Sequence, residues 1–161
     1  MTSRAQIAER HAFESADSAA FAVAADAWEE EGRTGIAGRM RVNAELVDIL
    51  SRHRLATPAL IIELGHVRHV CRIVMDLDVR RLTTALKRER REVELRSRLL
   101  RVSHLAVFAP AAGDLIDWYT ARARARVTEA ESRRRTAEDV TEATGVTEAA
   151  SRRRAAEEVR K

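Results

Sequence analysis

The sequence contains few residues that interrupt a helix and few that support redox or membrane chemistry. Its 161 residues include two prolines, six glycines and one cysteine. The single cysteine, Cys71, excludes an intramolecular disulfide and is typical of a reducing compartment. No apolar run reaches about eighteen residues, so we expect no membrane insertion. Together these absences predict a soluble, cytoplasmic protein.

The residues that dominate the chain are helix formers. Alanine, leucine, arginine and glutamate are abundant, and this composition favours helix along almost the whole length. The apolar content of 45% is enough for one modest core. We therefore predict an all-α fold with a helical core domain over residues 1–120 and a charged extension over residues 121–161.

The core domain is predicted to open with a helical hairpin. Residues 4–31 carry an alanine-rich stripe at steps of three and four, which indicates one amphipathic helix with its bulk supplied by Phe21 and Trp28. Glycines at the end of that stripe predict a turn, and Thr34 is the expected N-cap of a second helix. The two helices should pack in antiparallel orientation.

A long central helix or a pair of helices is predicted to complete a small bundle. Thr57 and Pro58 form a strong helix start, because proline at the first helical position has a suitable φ and no unpaired N–H. A straight helix from Pro58 to Pro110 would be about 75 Å long. We therefore expect either a break around residues 76–78 or a projecting arm. The expected core face contains Leu60, Leu64, Val67, Cys71 and Val74.

The last forty residues contain a duplicated segment. Residues 127–140 and 146–159 are identical at eleven of fourteen positions. Each copy has many charges and few large apolar residues, and pairs such as Glu129 and Arg133 have the i,i+4 spacing that stabilises an exposed helix. We predict a charged helical extension, interrupted at residues 144–145, rather than a repeat that stacks into a solenoid.

Positive charge is concentrated in one segment. Residues 1–32 hold two basic and seven acidic residues, whereas residues 80–101 hold nine basic and three acidic residues. Phosphate binding depends on the density of positive charge, so residues 80–101 are the candidate nucleic-acid-binding segment. The alternative interpretation is a solvated helix face. Aromatic residues are 4% of the chain and none lies in this segment, which argues against base stacking. The candidate contacts are Arg80, Arg81, Lys87, Arg88, Arg90, Arg91, Arg96, Arg98 and Arg101.

Motifs for catalysis, metals and cofactors are weak. Glu63 and His66 have Glu-x-x-His spacing, but a di-iron bundle needs a second copy and further glutamates. His66, His69 and Cys71 are zinc-binding residue types, yet Cys71 falls on the apolar face of its helix and away from His66. The glycine-rich turn over residues 32–39 lacks the preceding strand of a nucleotide-binding loop. We predict no catalytic residues, no metal site and no cofactor.

Two functions remain open from the sequence. The first is a non-enzymatic basic helical accessory protein that binds nucleic acid through phosphate contacts with low sequence selectivity. The alternative is a protein-interaction or scaffold module, in which a helix seam at steps of seven supports self-association or binds a partner helix. That seam contains Leu86, Val93, Leu100 and Val107. Size and composition would suit a plasmid or phage accessory factor in either case.

Overall fold

The computed structural model describes the backbone of residues 2–77 and 83–158, and the side chains of residues 2–77 and 83–137. All regular elements in these residues are helical, which confirms the predicted all-α class. The helices are α1 (Arg4–Ser15), α2 (Ser18–Glu30), α3 (Thr34–Arg52), α4 (Pro58–Ile61), α5 (Leu64–Met75), α6 (Thr84–Arg101), a 3₁₀ helix (Ala106–Ala111) and α7 (Ala112–Glu158). The chain divides into two compact units, residues 1–120 and 121–161. Across the described ranges, no helix combines the length and apolar character needed to cross a bilayer.

The prediction of one helix over residues 4–31 is wrong, because the chain breaks between α1 and α2. Ala16 adopts a left-handed conformation with a φ of 52°, while its N–H still bonds to the Ala12 carbonyl. Asp17 is extended, and its carboxylate accepts a hydrogen bond from the Ala19 N–H at 3.3 Å. An aspartate caps a new helix more favourably than it continues an old one. The cap formed by Asp17 therefore ends the helix that the apolar stripe over residues 4–31 predicted to continue.

The break lets α1 fold back against α2. The Phe13 and Phe21 rings meet edge to face with centroids 5.0 Å apart, and the Trp28 Nε1 donates to Glu9 Oε2 at 2.9 Å. The break also changes which face of α2 is buried. Val23 on α2 is 60% exposed, whereas Phe21 on the same helix is fully buried.

A tight turn joins α2 to α3. Gly32 has a φ of 73°, and its N–H bonds to the Glu29 carbonyl while the Arg33 N–H bonds to the Trp28 carbonyl. These two bonds form a Schellman motif, which requires a residue that tolerates positive φ. The N-cap position of α3 is therefore Arg33, without a side-chain bond, and the predicted cap at Thr34 is wrong.

The helices α2 and α3 form the most extensive helix–helix contact of the first unit. Arg41 on α3 forms ion pairs with Asp26 and Glu29 on α2, at positions roughly equidistant from the turn. This is the arrangement expected of an antiparallel hairpin. The hydrogen bond to Glu29 raises the pKa of the Arg41 guanidinium.

The helix start at Pro58 is confirmed, with Thr57 extended before it. The helix that follows is shorter than predicted, since α4 ends after one turn and α5 begins at Leu64. Helix α5 ends at Met75 with Asp76 as its C-cap, which confirms the start of the break predicted around residues 76–78. Asp78 lies outside the described residues. The predicted core face is buried at Leu64, Val67, Cys71 and Val74, and Leu60 is partly buried.

The described backbone after residue 112 is one continuous helix. The interruption predicted at residues 144–145 is wrong, because α7 continues through them to Glu158. A glycine inside a helix costs only about 1 kcal/mol relative to alanine, and no proline follows to stop the helix. The predicted pair of Glu129 and Arg133 is present at 2.5 Å. Side chains of the second repeat lie outside the described residues.

The core of the first unit combines aromatic and aliphatic side chains from all of its helices. Its largest fully buried members are Phe21, Leu46, Val47, Leu50, Ile61, Leu64, Val67, Leu95, Leu99, Phe108, Leu115 and Ile116. In the N-terminal part of this core, Phe21 on α2 packs against Phe13 on α1 and so joins the two helices.

Replacing Phe21 by alanine should lower the free energy of unfolding by about 3–5 kcal/mol, since the change removes a buried ring and leaves a cavity. Urea unfolding measures this loss. The matched control is Val23→Ala on the same helix, which should change stability by less than about 0.5 kcal/mol because Val23 is exposed. Equal effects of the two changes would contradict the assigned burial.

Candidate functional site

Most of the predicted nucleic-acid-binding residues lie on α6. Arg80 and Arg81 fall outside the described residues. The seven that the structure describes are Lys87, Arg88, Arg90, Arg91, Arg96, Arg98 and Arg101. Their surroundings differ, and these differences decide which of them are available to a ligand.

The position of α6 is set by one cap and two buried leucines. Thr83 is its N-cap, and the Thr83 hydroxyl accepts a hydrogen bond from the Leu86 N–H at 3.4 Å. Leu95 and Leu99 are fully buried, and α6 packs against α5 and the 3₁₀ helix. One side of α6 therefore faces the core while the opposite side faces solvent.

Arg88 is held by two carboxylates. Its Nε and one terminal nitrogen donate to the two oxygens of Asp117, both at 2.8 Å, and its other terminal nitrogen donates to Glu92 at 2.8 Å. The hydrogen bonds to Asp117 raise the pKa of the guanidinium, which stays charged. A fork of this kind fixes both position and orientation. Arg88 therefore connects α6 to α7, and its guanidinium is already paired within the fold.

Glu92 also neutralises a second arginine. Its other oxygen accepts a hydrogen bond from Arg96 at 3.1 Å. A Cβ added at Gly113 on α7 would lie 3.3 Å from the Glu92 carboxylate, so the absence of a side chain at Gly113 permits this close approach. Glu92 thus shares its charge between Arg88 and Arg96.

Two further arginines are engaged within the fold. Arg98 donates to Glu94 at 2.7 Å, one turn earlier on α6. Arg91 donates to the Met75 carbonyl at 3.4 Å, at the C-terminus of α5, where a positive charge is favourable. The Nε of Arg91 is buried and has no hydrogen-bond partner among the described residues. These contacts reduce the positive charge available for a partner.

Three basic residues remain on the solvent side. Within residues 2–77 and 83–137, Lys87, Arg90 and Arg101 have no ion pair. At 100° per residue they fall within a sector of about 60° around the helix axis, which also contains Glu94, the partner of Arg98. We call these three residues the cationic sector. Arg90 and Arg101 are exposed, and Lys87 is partly exposed.

An exposed apolar strip adjoins the cationic sector. Leu86, Val93 and Leu100 are 49%, 64% and 58% exposed, and they follow one another at steps of seven along α6. Val107, the fourth residue of the predicted seam, lies on the 3₁₀ helix and is 39% exposed. The seam predicted from the sequence is thus on the surface of the first unit. We call Leu86, Val93 and Leu100 the apolar strip.

The zinc site considered around Cys71 is not formed. Cys71 is fully buried, whereas His66 and His69 on the same helix are exposed. His69 instead lies 3.4 Å from a terminal nitrogen of Arg72. Burial of the thiol raises its pKa to about 12. A thiol in this state is a poor nucleophile and a poor metal ligand.

The Cys71 thiol should resist a thiol-specific reagent at pH 8 in the folded protein and react rapidly in urea, because only the thiolate is nucleophilic. The pKa is raised from 9.0 to about 12 on folding, so the contribution of burial to stability is present below pH 9 and decreases as pH rises toward 12. Stopped-flow absorbance measures the reaction, with Cys71→Ala as the blank. Fast modification of the folded protein would contradict the burial.

The glycine-rich turn forms a shallow open depression before and within the first turn of α3. Gly32, Arg33, Thr34, Gly35, Ile36 and Arg39 line it. Arg33 and Arg39 supply positive charge near a helix N-terminus, which is a general attraction for anions. Nothing else in this depression indicates a specific ligand.

The chain was compared with protein-family models, with curated proteins and with solved structures. None of these comparisons finds a match.

Proposed function

We propose that the protein is a non-enzymatic helical module that binds nucleic acid through the cationic sector of α6. The observation that carries this proposal is that the basic residues of one helix differ in whether a carboxylate pairs with them. Arg88, Arg96 and Arg98 are paired with carboxylates, whereas Lys87, Arg90 and Arg101 have no ion pair among the described residues and lie on one exposed side. An unpaired cation can approach a phosphate without first breaking a bond within the protein.

The sector is suited to phosphates rather than to bases. Lys87 and Arg90 are about 4.5 Å apart along the helix axis, and Arg101 lies roughly 16.5 Å beyond Arg90. Long, flexible cationic side chains at such spacings contact a phosphate backbone without reading its sequence. No aromatic side chain lies on α6 to stack on a base. Binding with low sequence selectivity would suit a small cytoplasmic accessory factor, for example of a plasmid or phage.

The salt dependence of binding should report how many cations take part. Each phosphate neutralised on duplex DNA contributes about −0.9 to the slope of log affinity against log salt concentration. Three available cations on α6 therefore predict a slope of about −3, whereas engagement of all nine predicted residues would give about −8. Fluorescence anisotropy of a labelled duplex, titrated at several salt concentrations, measures the slope. Absence of binding at low salt would refute the proposal.

Neutralising the sector should remove most of the salt-dependent binding. In the variant Lys87→Gln/Arg90→Gln/Arg101→Gln, the slope should fall toward zero, because the three cations that would neutralise phosphates are removed. The fold should be unaffected, because these residues have no ion pair within the described fold.

A matched control for the sector variant has the same change in net charge at another place. Arg10→Gln/Arg33→Gln/Arg39→Gln neutralises three exposed arginines of α1, α3 and the turn before α3. This control should keep the slope of the unmodified protein. Equal losses in the two variants would mean that binding depends on net charge alone, and would remove the assignment to α6.

A second candidate function is supported by the apolar strip. Exposed aliphatic residues at steps of seven are typical of a helix that pairs with another helix. We propose a second copy of this chain as the occupant, so that the strip of one α6 packs on that of another. Three aliphatic residues bury far less than the roughly 800 Å² per partner of a stable interface, so the association should be weak.

Self-association through the strip should persist at high salt, because apolar contact is not screened. In sedimentation equilibrium, Val93→Ser/Leu100→Ser should be monomeric under conditions where the unmodified protein self-associates. The control Ile7→Ser/Val23→Ser replaces residues that are 59% and 60% exposed on α1 and α2, and it should self-associate like the unmodified protein. A monomeric unmodified protein at high micromolar concentration would exclude this candidate.

A further inference from the structure

Three metal-binding side chains meet between α5 and the turn that follows α6. Glu63 Oε2 lies 2.6 Å from His66 Nδ1 and 3.6 Å from His104 Nε2, and the three ligand atoms all lie within 4.8 Å of one another. The two imidazole rings are 5.6 Å apart between centroids, with an angle of 69° between their planes. One carboxylate oxygen therefore faces a nitrogen of each ring.

The backbone that carries these side chains is fixed by the core. Glu63 precedes buried Leu64 at the start of α5, and His66 precedes buried Val67 on the same helix. His104 precedes buried Leu105 in the turn before the 3₁₀ helix. The imidazoles themselves are exposed. The core thus fixes the separation of the two segments, and the rings lie at the surface where an ion can reach them.

We propose that Glu63, His66 and His104 bind one Zn²⁺ ion, with water as the fourth ligand. In a tetrahedral zinc site with bonds of about 2.0–2.1 Å, neighbouring ligand atoms lie roughly 3.3 Å apart. The separation of Glu63 Oε2 and His104 Nε2 is close to that value, and His66 has to move away from Glu63 by less than about 1 Å to reach it.

The ligand set selects the class of metal. Imidazole nitrogens suit Zn²⁺ and neighbouring transition metals, whereas Mg²⁺ and Ca²⁺ prefer oxygen ligands and need more of them than Glu63 supplies. One carboxylate with two neutral imidazoles also leaves the bound ion with a net positive charge. Acidification should weaken binding because protonated imidazole does not bind a metal.

Zinc at this place would join two segments that are 38 residues apart between His66 and His104. An ion that binds the folded state and has no such site in the unfolded chain stabilises the fold. The proposal concerns residues distinct from the cationic sector and the apolar strip, and it is independent of the function proposed above.

Isothermal titration calorimetry of the full chain with ZnCl₂, in a buffer without phosphate or chelator, tests the proposal directly. The expected result is one Zn²⁺ per chain, together with a rise in melting temperature that EDTA reverses. Co²⁺ in place of Zn²⁺ should give the visible absorption of nitrogen and oxygen ligands without a thiolate band, because Cys71 is not a ligand. Failure to bind a stoichiometric ion would overturn the proposal.

Substitutions separate this site from weak binding by scattered surface histidines. His104→Gln and Glu63→Gln should each weaken Zn²⁺ binding by roughly tenfold or more, since each removes one of three ligands. His69→Gln is the matched control, because His69 is an exposed histidine on α5 outside the cluster. It should leave affinity and the zinc-dependent rise in melting temperature unchanged. Equal losses for His104→Gln and His69→Gln would refute the site.

Discussion

Two constraints hold α6 in the first unit: the burial of Leu95 and Leu99 in its second half, and the bond between Arg88 and Asp117 on α7 in its first half. Among the residues of α6, all of which are described, only Leu95 and Leu99 are buried, and both lie in the second half of the helix. The first half has no comparable apolar anchor, so the two parallel hydrogen bonds from Arg88 to α7 set its direction. With α6 held in this way, its cationic sector and apolar strip face solvent.

The pairing on α6 separates two roles that one residue type can have. Arg88 and Arg91 bond to groups on other helices and connect α6 to them, whereas Arg90 and Arg101 have no ion pair among the described residues and are open to a ligand. Arg91 has the first role through the end of α5, and Arg90 beside it is exposed. The number of arginines in a segment therefore does not measure its affinity for a polyanion. The arrangement of the surrounding acidic residues determines how much positive charge is available.

The sequence allowed the class of fold and most local signals to be predicted, because these depend on neighbours within a few residues. The helix start at Pro58 and the apolar face of α5 are examples. The break at Asp17 was missed since a single side-chain bond outweighed a continuous apolar stripe. The contacts of Arg88 with Asp117 and of Glu63 with His104 were beyond reach, because they join residues 29 and 41 positions apart whose proximity depends on the packing of the whole unit.

The break between α1 and α2 also bears on how the chain folds. Because α1 returns along α2, and α3 returns along α2 from the other end, the contacts among these three helices join segments that are close in sequence. Closing such short loops costs little conformational entropy, and structures rich in local contacts form rapidly. The first three helices can therefore pack on one another at a low cost in loop-closure entropy.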